Sequence, residues 1–421
     1  MKKILFFSIM SFFFTSAAWA TEPLTLTEAL ATAAKNHPQI EEAVANLAAT
    51  EARLGQSKAN YWPQINLAAD WNKGDSFLTA LGGIKKTEVA TTSVVLRQNL
   101  YDFGRTAGAS AAALGAKAAA EEGVSVSRQD VAFRVKAAWY LVLAAERQVE
   151  ASRKTVMARE GLARQAGEFF RHGIRSRVEV ARSEASLFAG KSLLIRAKNN
   201  RDLARLELAN AMGLNSLADR SLAEPEAHTD HPVPETLTSL REEALRNRNE
   251  LKRLASLKDA ASGSLRSARS GYLPTLSGTA SYGEAAQSLL PEGQVWALGV
   301  NLSLPVFSGF ATQEQVREAD AAIHSVNAQQ KNLQLQVARE VESAWLGISE
   351  AQARLTASSK EAEAAQESQR LSLERYQEGL GTMVEALDAQ AQSLNAETAQ
   401  IQAGYDQKIA RARLDRALSR P

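Results

Sequence analysis

The chain has 421 residues, 45% hydrophobic and 23% charged, with 49 Lys and Arg against 47 Asp and Glu. So even a balance gives no electrostatic support for nucleic-acid binding. With no Cys at all, disulfides, thiolate metal sites and a lipid-bearing Cys are excluded.

The first residues read as a secretory signal peptide over 1–20. Lys2 and Lys3 precede an apolar run from Ile4 to Ala18, and Ala18-Trp19-Ala20 places small residues at the −3 and −1 positions. Its removal takes away two lysines and leaves a formally neutral chain. No later apolar run approaches the ~20 residues of a membrane helix. A first structural repeat is expected over 21–214, a linker over 215–236 and a second repeat over 237–421.

Residues Thr25 to Asn60 read as a helix with Thr27 as N-cap, broken at Asn36-His37-Pro38 and closed by Pro63. The period then changes to two. Ile65, Leu67, Ala69 and Trp71 alternate with Gln64, Asn66, Ala68 and Asp70, a strand with one apolar face. Gly74 to Lys86 is expected as a loop, followed by a weaker strand from Thr91 to Tyr101.

From Gly104 to His172 the chain holds no proline and is rich in good helix formers. Val135, Val142, Val149, Val156 and Ala163 recur every seventh residue, with Val131, Ala138 and Ala145 four before the first three. These two stripes form the a/d seam of a supercoiled helix. At about 1.5 Å per residue, roughly 69 residues make a rod on the order of 100 Å long. A reversal at His172-Gly173 leads into a shorter helix from Arg177 to Met212.

Proline-bearing residues Asn215 to Pro234 join the repeats. A helix follows from Leu237 to Tyr272, then two strands. Leu276, Gly278, Ala280 and Tyr282 share one face of the first; Trp296, Leu298, Val300, Leu302 and Leu304 share one face of the second. A second rod spans Phe310 to Glu378, Gly379-Leu380-Gly381 turns the chain, and a last helix runs to its end.

The rod unit occurs twice. A shift of 206 maps Leu100-Tyr101 onto Val306-Phe307, Trp139 onto Trp345, Phe170 onto Tyr376, Gly173 onto Gly379 and Val178-Glu179 onto Val384-Glu385. Upstream, a shift of 211 maps Leu26 onto Leu237, Asn36 onto Asn247 and Tyr61-Trp-Pro63 onto Tyr272-Leu-Pro274. The chain is an internal duplication. Two short helices end to end match one rod, so a broken pair beside each continuous helix is the simplest arrangement. The four strands, each about 9–12 residues, suit a tilted bilayer crossing. A membrane sheet must close, and closed barrels have at least about eight strands, so several chains must contribute.

The signal peptide, the duplicated helix–hairpin–rod–tip unit and Tyr61-Trp-Pro63-Gln-Ile65 together resemble the TolC family of outer-membrane channel proteins. So do Leu304-Pro-Val-Phe307, Tyr376-Gln-Glu-Gly379-Leu380 and Val384-Glu-Ala-Leu-Asp388. The resemblance covers essentially the whole mature chain. It implies a mainly α fold with a small β part: a long-helix coiled-coil α-barrel and a transmembrane β-barrel of four strands per chain, completed by trimerisation. It also implies a bacterial outer-membrane location reaching into the periplasm. Function would be that of a passive exit duct in a tripartite efflux system. The homotrimer would dock tip-first onto a periplasmic adaptor and an RND- or ABC-type inner-membrane pump. Service in a type I protein-secretion system stands as the alternative within the class, and a periplasmic coiled-coil adaptor or spacer as one outside it.

Several residues carry over from the resemblance. Gly173-Ile174 and Gly379-Leu380 match the hairpin tips that adaptors grip. Glu385 and Asp388 match acidic positions ringing the pore entrance, where such rings favour cations. Tyr376 and Glu179 match contacts that hold the entrance shut. Gly381 stands where a gate-locking Arg is expected, with Arg175, Arg177 and Arg182 as nearby substitutes.

Nothing points to an enzyme or a cofactor. His37, His172, His228, His231 and His324 are scattered, and no GxSxG, HExxH, P-loop or dinucleotide fingerprint stands in its proper context.

Overall fold

A computed structural model describes residues 23–78, 83–217, 220–224, 236–286 and 293–420. The signal peptide of 1–20 and most of the 215–236 linker lie outside the described residues.

The elements run in two parallel series. The first is α1 (Leu26–Asn36), α2 (Pro38–Ala59), β1 (Gln64–Leu78), β2 (Gly83–Tyr101), α3 (Arg105–Arg171) and α4 (Arg177–Ala211). The second is α5 (Leu237–Asn247), α6 (Asn249–Arg269), a 3-10 turn (Ser270–Tyr272), β3 (Thr275–Ala286), β4 (Gly293–Ser303), α7 (Ala311–Gln377) and α8 (Met383–Leu418). Both rods, α3 and α7, are 67 residues long. No described helix is long and apolar enough to cross a membrane.

Three sequence expectations are corrected. Thr25, not Thr27, caps α1, with its hydroxyl accepting from the Glu28 N–H at 3.2 Å. The described part of Gly74 to Lys86 is strand rather than loop: β1 continues to Leu78 and β2 begins at Gly83. There the backbone ladder continues without any apolar alternation, helped by polar cross-strand partners such as Lys73 and Glu88, 2.7 Å apart. In the second series the helix expected over Leu237 to Tyr272 breaks at Arg248, where no proline marks it.

The strand-to-rod elbows share one backbone shape. Each needs two successive residues at positive φ: Phe103 (50°) and Gly104 (94°) in the first, Gly309 (61°) and Phe310 (66°) in the second. The order of Phe and Gly is swapped, so each elbow keeps one residue free of the left-handed penalty. Asp102 then caps α3, accepting from the Gly104 N–H at 3.1 Å and the Thr106 N–H at 2.8 Å. Ser308 takes its place before α7, accepting from the Thr312 N–H at 3.4 Å.

In the half of the molecule near the sheet, α3 lies between α2 and α6, and α6 packs on α7. In the opposite half α3 lies between α4 and α8, and α8 packs on α7. The short helices abut where the halves meet. A Cβ at Gly213, just after α4, would lie 2.8 Å from the Asn36 carbonyl and the His37 Cα. In the last turn of α8, the matching end, the Ala417 carbonyl accepts from Arg248 Nη1 at 3.1 Å. Arg248 is buried and also bonds Glu250 and Glu340, while Arg416 ties Glu250 to Asp130 of α3. Trp139 is fully buried at this level among Val135, Val142, Leu208, Met212 and Ala33.

The predicted seam of α3 is buried from Val131 to Val156, but Ala163 is only half-buried, and Leu162 and Ala166 take over. A straight 3.6-residue helix drifts against a strict sevenfold repeat, by about 20° per heptad.

His37 caps α2, its Nδ1 accepting from the Gln39 N–H at 3.1 Å. Burial, then the nearby Arg134 charge, hold its pKa below the ordinary imidazole value. The neutral form is therefore the one the fold stabilises. That stabilisation is full above the ordinary value of about 6.5 and is lost as pH falls through the lower folded-state pKa. Thermal melts of wild type should fall between pH 7 and 5 more steeply than those of His37→Asn, whose side chain caps without titrating. Parallel curves would remove His37 from this role.

The sheet is antiparallel in the order β1-β2-β3-β4. Its register brings most of the large apolar residues of the four strands to one face: Ile65, Leu96, Ala280 and Leu298 lie in one row, and Leu67, Val94, Tyr282 and Trp296 in the next. Leu67, Trp296 and Leu298 are 74–79% exposed. An apolar face this open on one chain is the face a lipid or a partner covers. Among the described residues, β1 and β4 keep one unpaired edge each.

Candidate functional site

The site with the most convergent geometry is the end remote from the sheet, where α3 turns into α4 and α7 into α8. Both reversals use a left-handed glycine, Gly173 (φ 72°) and Gly379 (φ 81°). In each, the next residue closes a six-residue ring. The Ile174 N–H donates to the Phe169 carbonyl at 2.9 Å, and the Leu380 N–H to the Arg375 carbonyl at 2.8 Å. This is the Schellman stop of a helix. It leaves Ile174 64% and Leu380 70% exposed, two apolar knobs at equivalent places.

Between the reversals lies a small core of Leu162, Ala166, Tyr376, Met383 and Ala386, with Phe169 and Val180 against it. Tyr376 is wholly buried there, and its hydroxyl donates to Glu179 Oε2 at 3.1 Å. Arg175 stands beside both, its guanidinium 3.8 Å from Glu179 Oε1 and 5.4 Å from the centre of the Tyr376 ring. Burial and the Glu179 carboxylate push the Tyr376 pKa up to about 12, so the phenol stays neutral and donates. Of the three candidate arginines only Arg175 is half-buried at this contact; Arg177 and Arg182 are exposed. A side chain at Gly381 would press on the Tyr376 N–H at 3.1 Å, so glycine suits that position.

Glu179 and Glu385 are equivalent under the 206-residue shift, yet they act differently. Glu385 closes a capping box at the start of α8: its carboxylate accepts from the Thr382 N–H at 3.2 Å, and Thr382 Oγ1 accepts from the Glu385 N–H at 3.3 Å. Ser176 makes no side-chain cap on α4. The first-repeat glutamate is therefore free to cross to Tyr376. Glu385 and Asp388 are both exposed on α8, one turn apart, away from the buried Met383, Ala386 and Ala389. So Tyr376 and Glu179 meet, while Glu385 and Asp388 do not join them.

Sequence reasoning missed two polar groups just behind this core. Gln390 of α8 is buried, and neither amide atom has a partner among the described residues. Arg159 of α3 is buried against Gly190 of α4 and donates to the Ser186 carbonyl at 2.8 Å. The signal for Gln390 was its place in the spacing of Met383, Ala386 and Ser393. No described group of three or more His, Asp or Glu residues is arranged to hold a metal.

The outer membrane efflux protein family matches residues 29–214 and 240–420, nearly all of both element series. The chain belongs to that family. Among its relatives are the outer membrane efflux protein BepC of Brucella suis, 26% identical over 92% of this chain and 83% of that protein. The outer membrane protein TolC of Escherichia coli is 24% identical over 91% of this chain and 80% of that protein. The fold is shared with VceC of Vibrio cholerae, at a TM-score of 0.79, 19% identity and 93% and 95% coverage. The MtrE outer membrane channel of Neisseria gonorrhoeae superposes at 0.80, with 20% identity and 94% and 89% coverage. The protein is an outer-membrane efflux channel and not an enzyme.

Tyr376→Phe should release Glu179 and widen the tip, seen as a larger single-channel conductance. Losing a hydrogen bond to a half-buried carboxylate costs on the order of 1–3 kcal/mol. An unchanged conductance would leave the Arg175–Glu179 pair as the whole contact and show that the Tyr376 hydroxyl does not set the tip opening.

Proposed function

We propose that three copies of this chain close one twelve-stranded barrel and one helical tunnel. The assembly is the passive exit duct of a tripartite efflux system and docks by its tips onto a periplasmic adaptor and an inner-membrane pump. The observation that carries this reading is the four-stranded sheet. Most of its large apolar residues share one face, both outer edges are open among the described residues, and four strands cannot close a membrane barrel. The helices agree. The edge helices α2 and α4 lie on the β1 side and α7 on the β4 side, so one head-to-tail contact joins sheets and helices together.

Docking is assigned to Gly173, Ile174, Gly379 and Leu380, and the closing contact to Tyr376 and Glu179 with Arg175. The entrance charge is assigned to Glu385 and Asp388. In the double variant Gly173→Val, Gly379→Val, β-branched residues are forced to positive φ. Export and adaptor crosslinking from position 174 should fall sharply, while the barrel still inserts. Wild-type export together with wild-type crosslinking would overturn tip docking.

A further inference from the structure

The alternation that turns one sheet face to lipid fixes what the other face carries. Opposite Ile65, Leu67, Leu96, Val94, Leu298 and Trp296 stand mostly small and polar residues, Asn66, Ser93, Thr279, Ser281 and Gly299 among them. Among the inward positions whose side chains are described, two are charged. Arg97 lies in the row Gln64–Arg97–Thr279–Gly299, close to the helices, and Asp70 lies in the row Asp70–Thr91–Ala285–Gly293, close to the loops. Arg97 is exposed and has no carboxylate partner among the described residues. Gly299 leaves its own place in that row empty. On the lipid face an Arg at mid-membrane would cost about 2–4 kcal/mol.

We propose that Arg97 gives the barrel lumen an inward ring of fixed positive charge that attracts multivalent anionic groups on passing solutes and sets the charge preference of the barrel. The ring rests on the three-chain closure proposed above, which brings three copies of Arg97 to one level. Asp70 does not cancel it. Six residues of strand, at about 3.3 Å each, put roughly 20 Å between the two rows. That exceeds twice the Debye length of about 8 Å at physiological ionic strength. The duplication also shows that the charge is particular to one repeat, because a shift of 206 residues places Ser303 at the position matching Arg97.

The cysteine-free chain suits a direct test. Trimers of Arg97→Cys and of Leu96→Cys are placed in planar bilayers, and a water-soluble methanethiosulfonate is added from the loop side. Arg97→Cys channels should lose conductance in up to three steps, and Leu96→Cys channels should not respond. On otherwise wild-type channels, hexacyanoferrate added from the same side meets Arg97 before it reaches the tips. Its block should weaken about tenfold or more in Arg97→Gln and persist in Arg97→Lys. Normal channels in which the thiol of Arg97→Cys does not react, or in which Arg97→Gln leaves the block unchanged, would overturn the ring and leave the exit duct standing. Preparations that insert but form neither trimers nor channels would overturn the duct reading itself, and the ring with it.

Discussion

Gly263→Val should melt well below wild type. On α6, a Cβ at residue 263 would lie 2.4 Å from the Ala112 backbone nitrogen of α3. Gly108 and Gly115 answer from α3, where a Cβ would come 2.5 Å from the Ser267 nitrogen and 2.6 Å from the Ala260 nitrogen. Backbone, not the end of a flexible side chain, stands in the way at all three, so the helices must separate. Overpacking typically costs about 1–3 kcal/mol and occasionally more; valine here belongs at the top of that range. The contact joins the two repeats, so any oligomer seen by native electrophoresis should weaken along with the melt. Gly161, on the same rod, has nothing within 4 Å of an added Cβ. Gly161→Ala should therefore be neutral or stabilising by up to about 1 kcal/mol, since Gly is the poorer helix former. Equal melts for the two variants would refute the close α3–α6 approach.

The second large effect is electrical. Replacing both Glu385 and Asp388 by their amides should cut the cation preference of the channel and weaken block by a trivalent cation from the tip side at least tenfold. Two unit charges 4 Å apart interact by about 4 kcal/mol at an effective dielectric near 20, and each 1.4 kcal/mol is a factor of ten. Amides are the right replacements because of the capping box. Glu385→Ala would also remove the bond to the Thr382 N–H, whereas a Gln at this position can still accept it. Reversal potential under a salt gradient is the readout. Unchanged potential and unchanged block would return both residues to an ordinary solvated helix face.

How much of this was legible in the sequence depends on which force positions each part. Rods, reversals and strand faces were legible because burial imposes a period, and the duplication printed each signal twice. The far ends of β1 and β2 were not, because backbone pairing rather than apolar alternation holds them. Thr25 and Thr27 are chemically equal caps, and only the chain's entry geometry chooses between them. The break at Arg248 left no mark because a buried arginine, fastened to Ala417, Glu250 and Glu340, does there what His37-Pro38 does in the first repeat. At the tip, the 206-residue shift paired Glu179 with Glu385 but concealed their difference. That difference arises from what Ser176 and Thr382 each do one turn away.

In the proposed duct, one chain is a third of a barrel. The mass of the detergent-extracted particle, measured by native mass spectrometry on preparations that conduct in bilayers, tests it most directly. Three chains per particle is the result expected. A monodisperse particle of one or two chains that still conducts would contradict it.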